Sequence, residues 1–432
     1  NAFVNPGSAL NVFGSNGFGF LDVGTLILGG DVNSLPSGFY DLNVQKLSMG
    51  STSRLVVSGG TFLGLGKQTF VGVSNLPNSQ APVSFSGGQF EASAGAVIEV
   101  NGIPNPSVLA GDSPSLTSSF APTIDLTGLD GVLDAPVVVN FAGLGNSIFT
   151  HGENVSPLDN PFASNPIPNL VIGPQVTVNI GTATDLASLN VFTNAVNPTP
   201  APSPAPSPMP SPPPQPGVMF QGVTNVNQDS SLFVDAGSIS IAPTPSASTL
   251  RLNGDNSSLF LFGSYSSPSL NNISRVTGSE LFLGGIWDNS QVSSATDVPS
   301  PLSQGPITAA DNLIIRGGVL PSEGLIDVPF LHVLNLEGVT LSSTVNVKPE
   351  AGLVLGRSGL GSGNEVPTTL LNAKINLQGD TLLVVESDAS GVAQMQGTAT
   401  IASANLGNYV VAGRRVTDPA GTSVPDTASL RV

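Results

Sequence analysis

Short runs in which apolar and polar residues alternate occur along most of the chain. Clear examples are VTVNI (176–180), SISIA (238–242), TLRLNG (249–254) and STVNVK (343–348). A period of two places alternate side chains on opposite faces of a β-strand, so that one face is buried. Helix signals are scarce, because Gly or Pro interrupts almost every long window of the sequence. The pattern predicts an all-β fold.

Glycine follows many of the predicted strands. In the C-terminal part, four such glycines recur at spacings of 21, 18 and 23 residues: Gly317, Gly338, Gly356 and Gly379. The phrase VLNLEGVTL (333–341) also returns 41 residues later as KINLQGDTL (374–382). A short strand that ends in a glycine turn and returns at such intervals is typical of a repeat architecture. We interpret the two phrases as equivalent strands of one coil, two turns apart.

These repeats favour a right-handed parallel β-helix, or β-solenoid. In such a fold, stacked coils bury Leu, Ile and Val and pair their strands with those of neighbouring coils. A β-sandwich array, with turns every 8 to 12 residues or so, stays open as the alternative because the spacings are irregular.

A proline-rich segment, residues 197–217, divides the chain. Eleven of its 21 residues are proline, which predicts a polyproline II conformation. We therefore predict an N-terminal β region (1–196), a polyproline II linker (197–217) and a C-terminal β-solenoid region (218–432). Two alternatives stay open: the segment lies along a partner, or it is an insertion that decorates a single continuous solenoid.

The composition narrows the function classes. Only 9% of the 432 residues are charged, the net charge is −17, and 40% are hydrophobic. The sequence has no basic patch, which argues against nucleic acid and against anionic membranes as partners. No apolar run is long enough to predict a membrane-spanning helix. Weak mutual repulsion between copies instead tolerates close packing of one copy against another.

Candidate chemistry is sparse. Asp125, Asp130 and Asp134 are spaced for a turn that binds Ca²⁺ through carboxylate oxygens, although turn acids more often cap backbone amides. A β-helical polysaccharide lyase or hydrolase needs paired carboxylates, or a base with Arg or Lys that stabilises a uronate anion. No Arg or Lys lies within 50 residues of these acids. His151 and His332 lack a second histidine nearby that would complete a metal site. The sequence contains no cysteine. We predict no catalytic residue and no cofactor, with Ca²⁺ as a weak candidate.

Three sequons for N-glycosylation begin at Asn154, Asn256 and Asn272. A chain rich in Asn, Ser and Thr contains several by chance, so they matter only if the chain is exported by a cell that glycosylates.

Three segments carry a resemblance to a known class: LFLGGIWDNS (281–290), LIIRGGVL (313–320) and VLNLEGVTLSSTVNV (333–347). They resemble the repeats of large bacterial β-solenoid surface and secreted proteins, the autotransporter and filamentous-haemagglutinin-like adhesins. The resemblance covers residues 250–430 well and 20–100 loosely, and it implies export, an elongated shape and a role in adhesion or matrix. The proline-rich segment is also similar to cell-wall proteins of green algae. No catalytic residue carries over.

We expect a non-enzymatic, extracellular or cell-surface structural protein that assembles with copies of itself into a filament, sheath or surface layer. The exposed strands at the two ends of a solenoid are its natural contacts, and we place them in residues 1–14 and 427–432. The first alternative is an adhesin whose stalk binds cell-surface glycans. The second is the polysaccharide lyase or hydrolase considered above.

Overall fold

The computed structural model describes residues 2–5, 9–12, 18–28, 31–34, 39–58, 61–65, 83–85, 89–101, 124–126, 137–151, 168–194, 217–244, 248–294, 300–358, 366–387, 392–405, 407–413 and 429–431. The chain forms two compact units, residues 1–257 (unit 1) and 258–432 (unit 2).

The described strands of unit 1 are β1 (Ala2–Val4), β2 (Ala9–Val12), β3 (Phe18–Leu28), β4 (Asp31–Ser34), β5 (Phe39–Met49), β6 (Arg54–Ser58), β7 (Thr61–Leu65), β8 (Val83–Phe85), β9 (Gln89–Ala92), β10 (Val97–Asn101), β11 (Ile124–Leu126), β12 (Val138–Phe141), β13 (Gly143–His151), β14 (Pro168–Ile172), β15 (Thr177–Ile180), β16 (Ala187–Asn194), β17 (Gly217–Phe220), β18 (Val223–Val226), β19 (Ser231–Ile241) and β20 (Leu250–Leu252).

Unit 1 is a three-sided coil, because each turn of the chain passes through the same three parallel sheets. Sheet 1 stacks β2, β4, β6, β10, β13, β16 and residues 231–235 of β19. Sheet 2 stacks residues 18–23 of β3, 39–44 of β5, β7, β8, β11, β14, β17 and 238–241 of β19. Sheet 3 stacks β1, residues 25–28 of β3, 46–49 of β5, β9, β12, β15, β18 and β20.

The alternation in the sequence decides which side chains enter the core. In β15, Val178 and Ile180 are buried, whereas Thr177 and Asn179 lie on the outer face. Parallel pairing keeps inward residues in columns, so that Val139 of β12 lies over Val178. Each column buries apolar surface between successive coils, which a single coil cannot do alone.

The strands on either side of the proline-rich segment belong to the same turn of unit 1, one in sheet 1 and the other in sheet 2. β16, before it, pairs with residues 231–235 of β19, and β17, after it, pairs with residues 238–241 of the same strand. In the next turn, the two parts of β19 that correspond to β16 and β17 are joined by only two residues, Ala236 and Gly237. The domain boundaries predicted at 196 and 218 stay a prediction, but this pairing favours the alternative of an insertion within one coil.

The described elements of unit 2 are β21 (Ser258–Ser266), α1 (Ser267–Leu270), β22 (Ile273–Arg275), β23 (Glu280–Asp288), α2 (Ser300–Ser303), β24 (Ile307–Ala309), β25 (Asn312–Arg316), β26 (Val319–Leu320), β27 (Leu325–Val328), β28 (Val333–Glu337), β29 (Thr340–Leu341), β30 (Thr344–Val347), β31 (Gly352–Ser358), β32 (Val366–Pro367), β33 (Thr369–Leu377), β34 (Leu382–Glu386), β35 (Val392–Gln394), β36 (Gln396–Ser403), β37 (Tyr409–Gly413) and β38 (Ser429–Arg431).

Unit 2 is also a three-sided coil. Sheet 4 stacks residues 264–266 of β21, residues 286–288 of β23, and β25, β28, β31, β34 and β37. Sheet 5 stacks β26, β29 and the first halves of β33 and β36. Sheet 6 stacks residues 258–261 of β21, residues 280–283 of β23, β24, β27, β30 and the second halves of β33 and β36. In the described part of unit 2, β32 pairs antiparallel with β31, and β35 and β38 form a separate parallel pair.

The corner between sheets 6 and 4 contains a left-handed residue in each described turn from β24 onwards. These residues are Asp311, Leu331, Glu350, Asp380 and Gly407. Gly and Asp accept this conformation at low cost, but a leucine does not. Leu331 has φ +63° and is two-thirds exposed, so this corner is both strained and apolar.

The prediction of an all-β parallel solenoid is confirmed, and the parallel pairing rules out the β-sandwich alternative. The right-handed sense of the coil stays a prediction. The interpretation of the repeated phrase was wrong, because Val333–Glu337 lies in sheet 4 whereas residues 374–377 of β33 lie in sheet 6. Gly356 is not a turn residue either, since it lies within β31 opposite Glu337.

Candidate functional site

The last turn of unit 2 has an edge without a paired strand in the described residues. β36 pairs with β33, and β37 pairs with β34. Along this edge, backbone N–H and C=O groups point away from the coil without a strand to bind them. Unpaired strand edges of this kind are templates for the addition of another strand.

The apolar core runs into this open edge. Ile401 of β36 continues the column of Ile375, and Val410 of β37 continues the column of Leu383. Ile375 and Leu383 are fully buried, whereas Ile401 is 38% and Val410 is 45% exposed. These two residues occupy inward positions, and only a further coil would cover them. The edge therefore offers both backbone hydrogen bonds and apolar surface, and we call it the C-terminal edge.

The outer face of β37, in the same turn, is apolar as well. Tyr409 and Val411 of β37 are exposed, and so are Leu371 and Leu382 in the preceding turn. Solenoids usually cover their terminal turns with polar caps, because an uncapped turn associates with other chains. In the described residues of this turn, the exposed side chains do not form such a cap.

The first strands of unit 1 form a second edge of this kind. β1 pairs with β3 and β2 pairs with β4. Phe3 is 64% exposed, while Val4 beside it is buried. The contact predicted in residues 1–14 falls on this edge, and the one predicted in residues 427–432 falls on β38, whose described partner is β35. The interface role of both stays a prediction, and the sequence reasoning missed β36 and β37.

The acidic residues proposed for Ca²⁺ are only partly described. Asp125 lies in β11, where its backbone pairs with Val171. Asp130 and Asp134 lie outside the described residues. Within the described residues, no three His, Asp or Glu side chains are grouped closely enough to hold a metal ion. The Ca²⁺ site stays a prediction.

Two of the three sequon asparagines are described. Asn256 is exposed at a corner with φ +56°, and its amide nitrogen donates to the Asp229 carboxylate at 2.8 Å. The amide nitrogen of Asn272 donates to the Pro268 carbonyl at 3.0 Å. Asn154 lies outside the described residues, and glycosylation at the three positions stays a prediction.

The two histidines are also placed. His151 ends β13, and its side chain lies outside the described part. His332 follows the Leu331 corner, and its Nδ1 lies 3.9 Å from a carboxylate oxygen of Asp311. This distance is too long for a hydrogen bond, so the pair is at most a weak ionic contact.

A buried ionic cluster on sheet 4 was not predicted from the sequence. The carboxylate of Glu337 is buried and accepts a hydrogen bond from Arg316 Nε at 2.8 Å. One strand further on, the backbone N–H of Arg357 donates to the buried carboxylate of Glu386 at 2.8 Å. Gly356 lies between them, and a side chain there would approach Glu386 Oε2 within 3.0 Å. The cluster spans four strands, because one bond joins β25 to β28 and the other joins β31 to β34, and no alternation pattern signals it.

Arg275 holds a connection against the coil. Its guanidinium donates to the carbonyls of Pro306 and Ser279, at 2.8 Å in both cases. Burial lowers the pKa of Arg275, and the negative charge of Glu280 acts in the opposite direction. Both of these partners are backbone carbonyls, which indicates a structural role.

Comparisons of the chain with models of protein families, with curated protein sequences and with solved structures gave no match. Among the described residues, no helix is long and apolar enough to cross a membrane.

Proposed function

We propose that the chain is a non-enzymatic, extracellular structural protein whose copies join end to end. The observation that carries the proposal is the C-terminal edge, where inward residues Ile401 and Val410 are exposed beside unpaired strand edges. A second copy would complete this edge by adding its first strands, β1 and β2, in parallel. Each added copy presents the same edge again, so the contact is heterologous and propagates.

The composition supports this proposal. A chain with 9% charged residues repels its own copies weakly, and backbone pairing supplies specificity without charged contacts. Assembly would then depend mainly on apolar burial and main-chain hydrogen bonds.

Single substitutions at two equally exposed valines test the proposal. Val410 lies at the C-terminal edge and is 45% exposed, whereas Val276 lies at a corner of the coil and is 43% exposed. We expect Val410→Lys to raise the concentration needed for assembly by about tenfold or more, because a buried contact would then contain a charge. Val276→Lys should leave this concentration unchanged. Sedimentation velocity over a concentration series measures both.

Two results would contradict the proposal. One is a wild-type chain that stays monomeric at every concentration. The other is an equal effect of the two valine substitutions, since general loss of solubility would then explain the change.

The adhesin alternative has one structural argument against it. The rings of Phe149 and Phe192 on the outer face of sheet 1 stack with centroids 5.1 Å apart and an angle of 14°. Phe260 and Phe282 stack in the same way in unit 2, at 4.3 Å and 7°. Each stacked pair covers one face of both rings, which reduces the open aromatic surface on which sugars stack.

A further inference from the structure

One outward column of sheet 3 contains a stretch of five residues with a charge at each end and amides between. In register, the column runs Glu91, Asn140, Asn179, Asn225 and Arg251 over five successive strands. The residues on either side of each member along its strand are buried or turn inward, so all five side chains lie on the outer face of unit 1. We call this set the sheet 3 column.

The three amides of the sheet 3 column form a ladder. Asn225 donates from Nδ2 to Asn179 Oδ1 at 2.8 Å, and Asn179 donates to Asn140 Oδ1 at 2.9 Å. A primary amide has two N–H donors and an oxygen that accepts twice. In the described residues the ladder has one further side-chain partner, Asn253, whose Nδ2 donates to Asn225 Oδ1 at 3.0 Å. With this bond counted, each asparagine of the ladder still uses at most one N–H and one lone pair. The second N–H and the second lone pair of Asn179 and Asn225 are thus left for an outside group.

The adjacent outward column is uncharged. Val138, Thr177 and Val223 lie beside the three asparagines on the same strands, and all are half-buried. Side-chain ladders of this kind favour flat sheets. The centre of the face is therefore flat and free of charge, and the charges of the sheet 3 column stand only at its ends.

When two copies of this column face each other in opposite directions, each residue meets a complementary one. If a second copy is turned by 180° and laid on this face, Glu91 meets Arg251 of the copy and Arg251 meets its Glu91. Asn140 then lies opposite Asn225, and Asn179 lies opposite Asn179 on the twofold axis. Facing amides pair through the N–H and C=O groups that the ladder leaves unused.

We propose that unit 1 forms a twofold, side-by-side contact with a second copy of this chain through the sheet 3 column. The strand spacing, about 4.7 to 4.9 Å, is the same in both copies, so all facing groups come into register together. An isologous contact of this kind closes after two copies and differs from the end-to-end contact proposed above. The two contacts use different residues and stand or fall separately.

Unit 2 contains a similar ladder that lacks this complementarity. Asn376 donates to Asn346 at 2.8 Å, and Asn346 donates to Asp327 at 2.7 Å. Lys374 lies beside Asn376 on the same face, opposite Thr344. This face therefore contains a carboxylate within the ladder and a lysine beside it, and two copies facing in opposite directions would not bring opposite charges together. We therefore assign the contact to unit 1.

A charge exchange tests the proposed pairing. The experiment uses the full chain with Val410→Lys, which removes the end-to-end contact if that proposal is correct. We expect Glu91→Arg alone and Arg251→Glu alone to raise the dimer dissociation constant by about tenfold or more, because each places like charges opposite each other twice per dimer. The double exchange, Glu91→Arg with Arg251→Glu, should restore the dimer. Sedimentation equilibrium measures all four chains, and failure of the double exchange to rescue would overturn the proposal.

A cross-link tests the position of the twofold axis. The sequence contains no cysteine, so Asn179→Cys introduces a single thiol, which the proposal places opposite its own copy. Mild oxidation or a short bis-maleimide should give a covalent dimer. Asn190→Cys on the outer face of sheet 1 is the matched control and should stay monomeric.

Three outcomes of the cross-linking would overturn the proposal. The first is no dimer from either variant, and the second is equal amounts from both. The third is the absence of a dimer in a chain that is retained on an insoluble polysaccharide. If Asn179→Lys abolished that retention, the face would be assigned to a glycan. If the charge exchange and the cross-link succeed in a chain that never assembles end to end, the side contact stands and the end contact fails.

Discussion

Two buried threonines of unit 1 differ in what their hydroxyl groups contact. Thr224 points into a small apolar cavity lined by residues such as Phe141, Ile148 and Phe220, and its hydroxyl has no hydrogen-bond partner in the described residues. The hydroxyl of Thr249 donates to the carbonyl of Ala242. A buried hydroxyl without a partner costs stability, whereas a bonded one contributes to it.

Replacing each threonine with valine should therefore have opposite effects. Thr224→Val removes the unbonded hydroxyl at nearly constant volume and should raise the free energy of unfolding by about 1 kcal/mol. Thr249→Val leaves the Ala242 carbonyl without its donor and should lower it by about 1 to 2 kcal/mol. Urea unfolding followed by circular dichroism measures both, and equal signs would contradict the account.

Tyr265 makes stability depend on alkaline pH. Its ring is buried, its hydroxyl donates to the Gly284 carbonyl at 3.1 Å, and burial raises the pKa of the phenol well above 10.0. Because the pKa of Tyr265 is higher in the folded than in the unfolded chain, the protonated phenol contributes to the free energy of unfolding. This contribution is complete below about pH 10 and is lost as the pH rises towards the folded pKa.

The substitution Tyr265→Phe should reduce the fall in stability above pH 10, although loss of the hydrogen bond lowers stability at neutral pH by about 1 kcal/mol. Tyr409→Phe, at an exposed ring, is the control and should keep the wild-type slope. Thermal unfolding midpoints between pH 8 and pH 11 or so measure the three chains. The same slope in Tyr265→Phe and wild type would refute the assignment.

For a single strand, the sequence predicts which side chains point into the core and which point outward, but it does not predict which sheet the strand joins. VLNLEG and KINLQG each place two aliphatic residues inward and end at a glycine with positive φ, Gly338 or Gly379. A strand with two inward aliphatic residues followed by a glycine turn fits before any corner of a three-sided coil, so the phrase recurs on different sheets. Which sheet a strand joins depends on the length of the connections, and these vary from turn to turn.

The candidate sites show the same limit. Alternation predicts that Ile401 and Val410 point inward, but not that the coil above them is missing. Likewise, an outward Glu337 looks like an ordinary surface residue in the sequence, and only the neighbouring strands show that it is buried. Sites made by stacking depend on residues about 20 to 30 positions apart, and such spacing leaves no local signal.

The pairing around the proline-rich segment gives a prediction for a whole element. Deletion of residues 195–216 joins Asn194 to Gly217, and Thr193 and Asn194 then take the place that Ala236 and Gly237 have in the next turn. We expect the fold and the thermal midpoint to persist, because the deletion removes no described strand pair and shortens the connection between β16 and β17. Circular dichroism and thermal unfolding measure this. Loss of the β-sheet signal would show that the segment is needed for folding.

For the whole molecule, the two proposed contacts lead to different products. The C-terminal edge adds copies in series, and the sheet 3 column joins copies in pairs. Together they predict paired filaments, and the low charge of the chain tolerates such packing. Without the first contact only dimers form, and without the second only single filaments form.

Electron microscopy of the purified full-length chain tests the central claim most directly. Negatively stained samples over a range of concentrations should contain filaments that lengthen with concentration, and filaments should be absent when Val410→Lys is introduced but present with Val276→Lys. Dispersed particles at every concentration, or filaments that Val410→Lys leaves unchanged, would contradict the claim that copies of this solenoid join through the C-terminal edge.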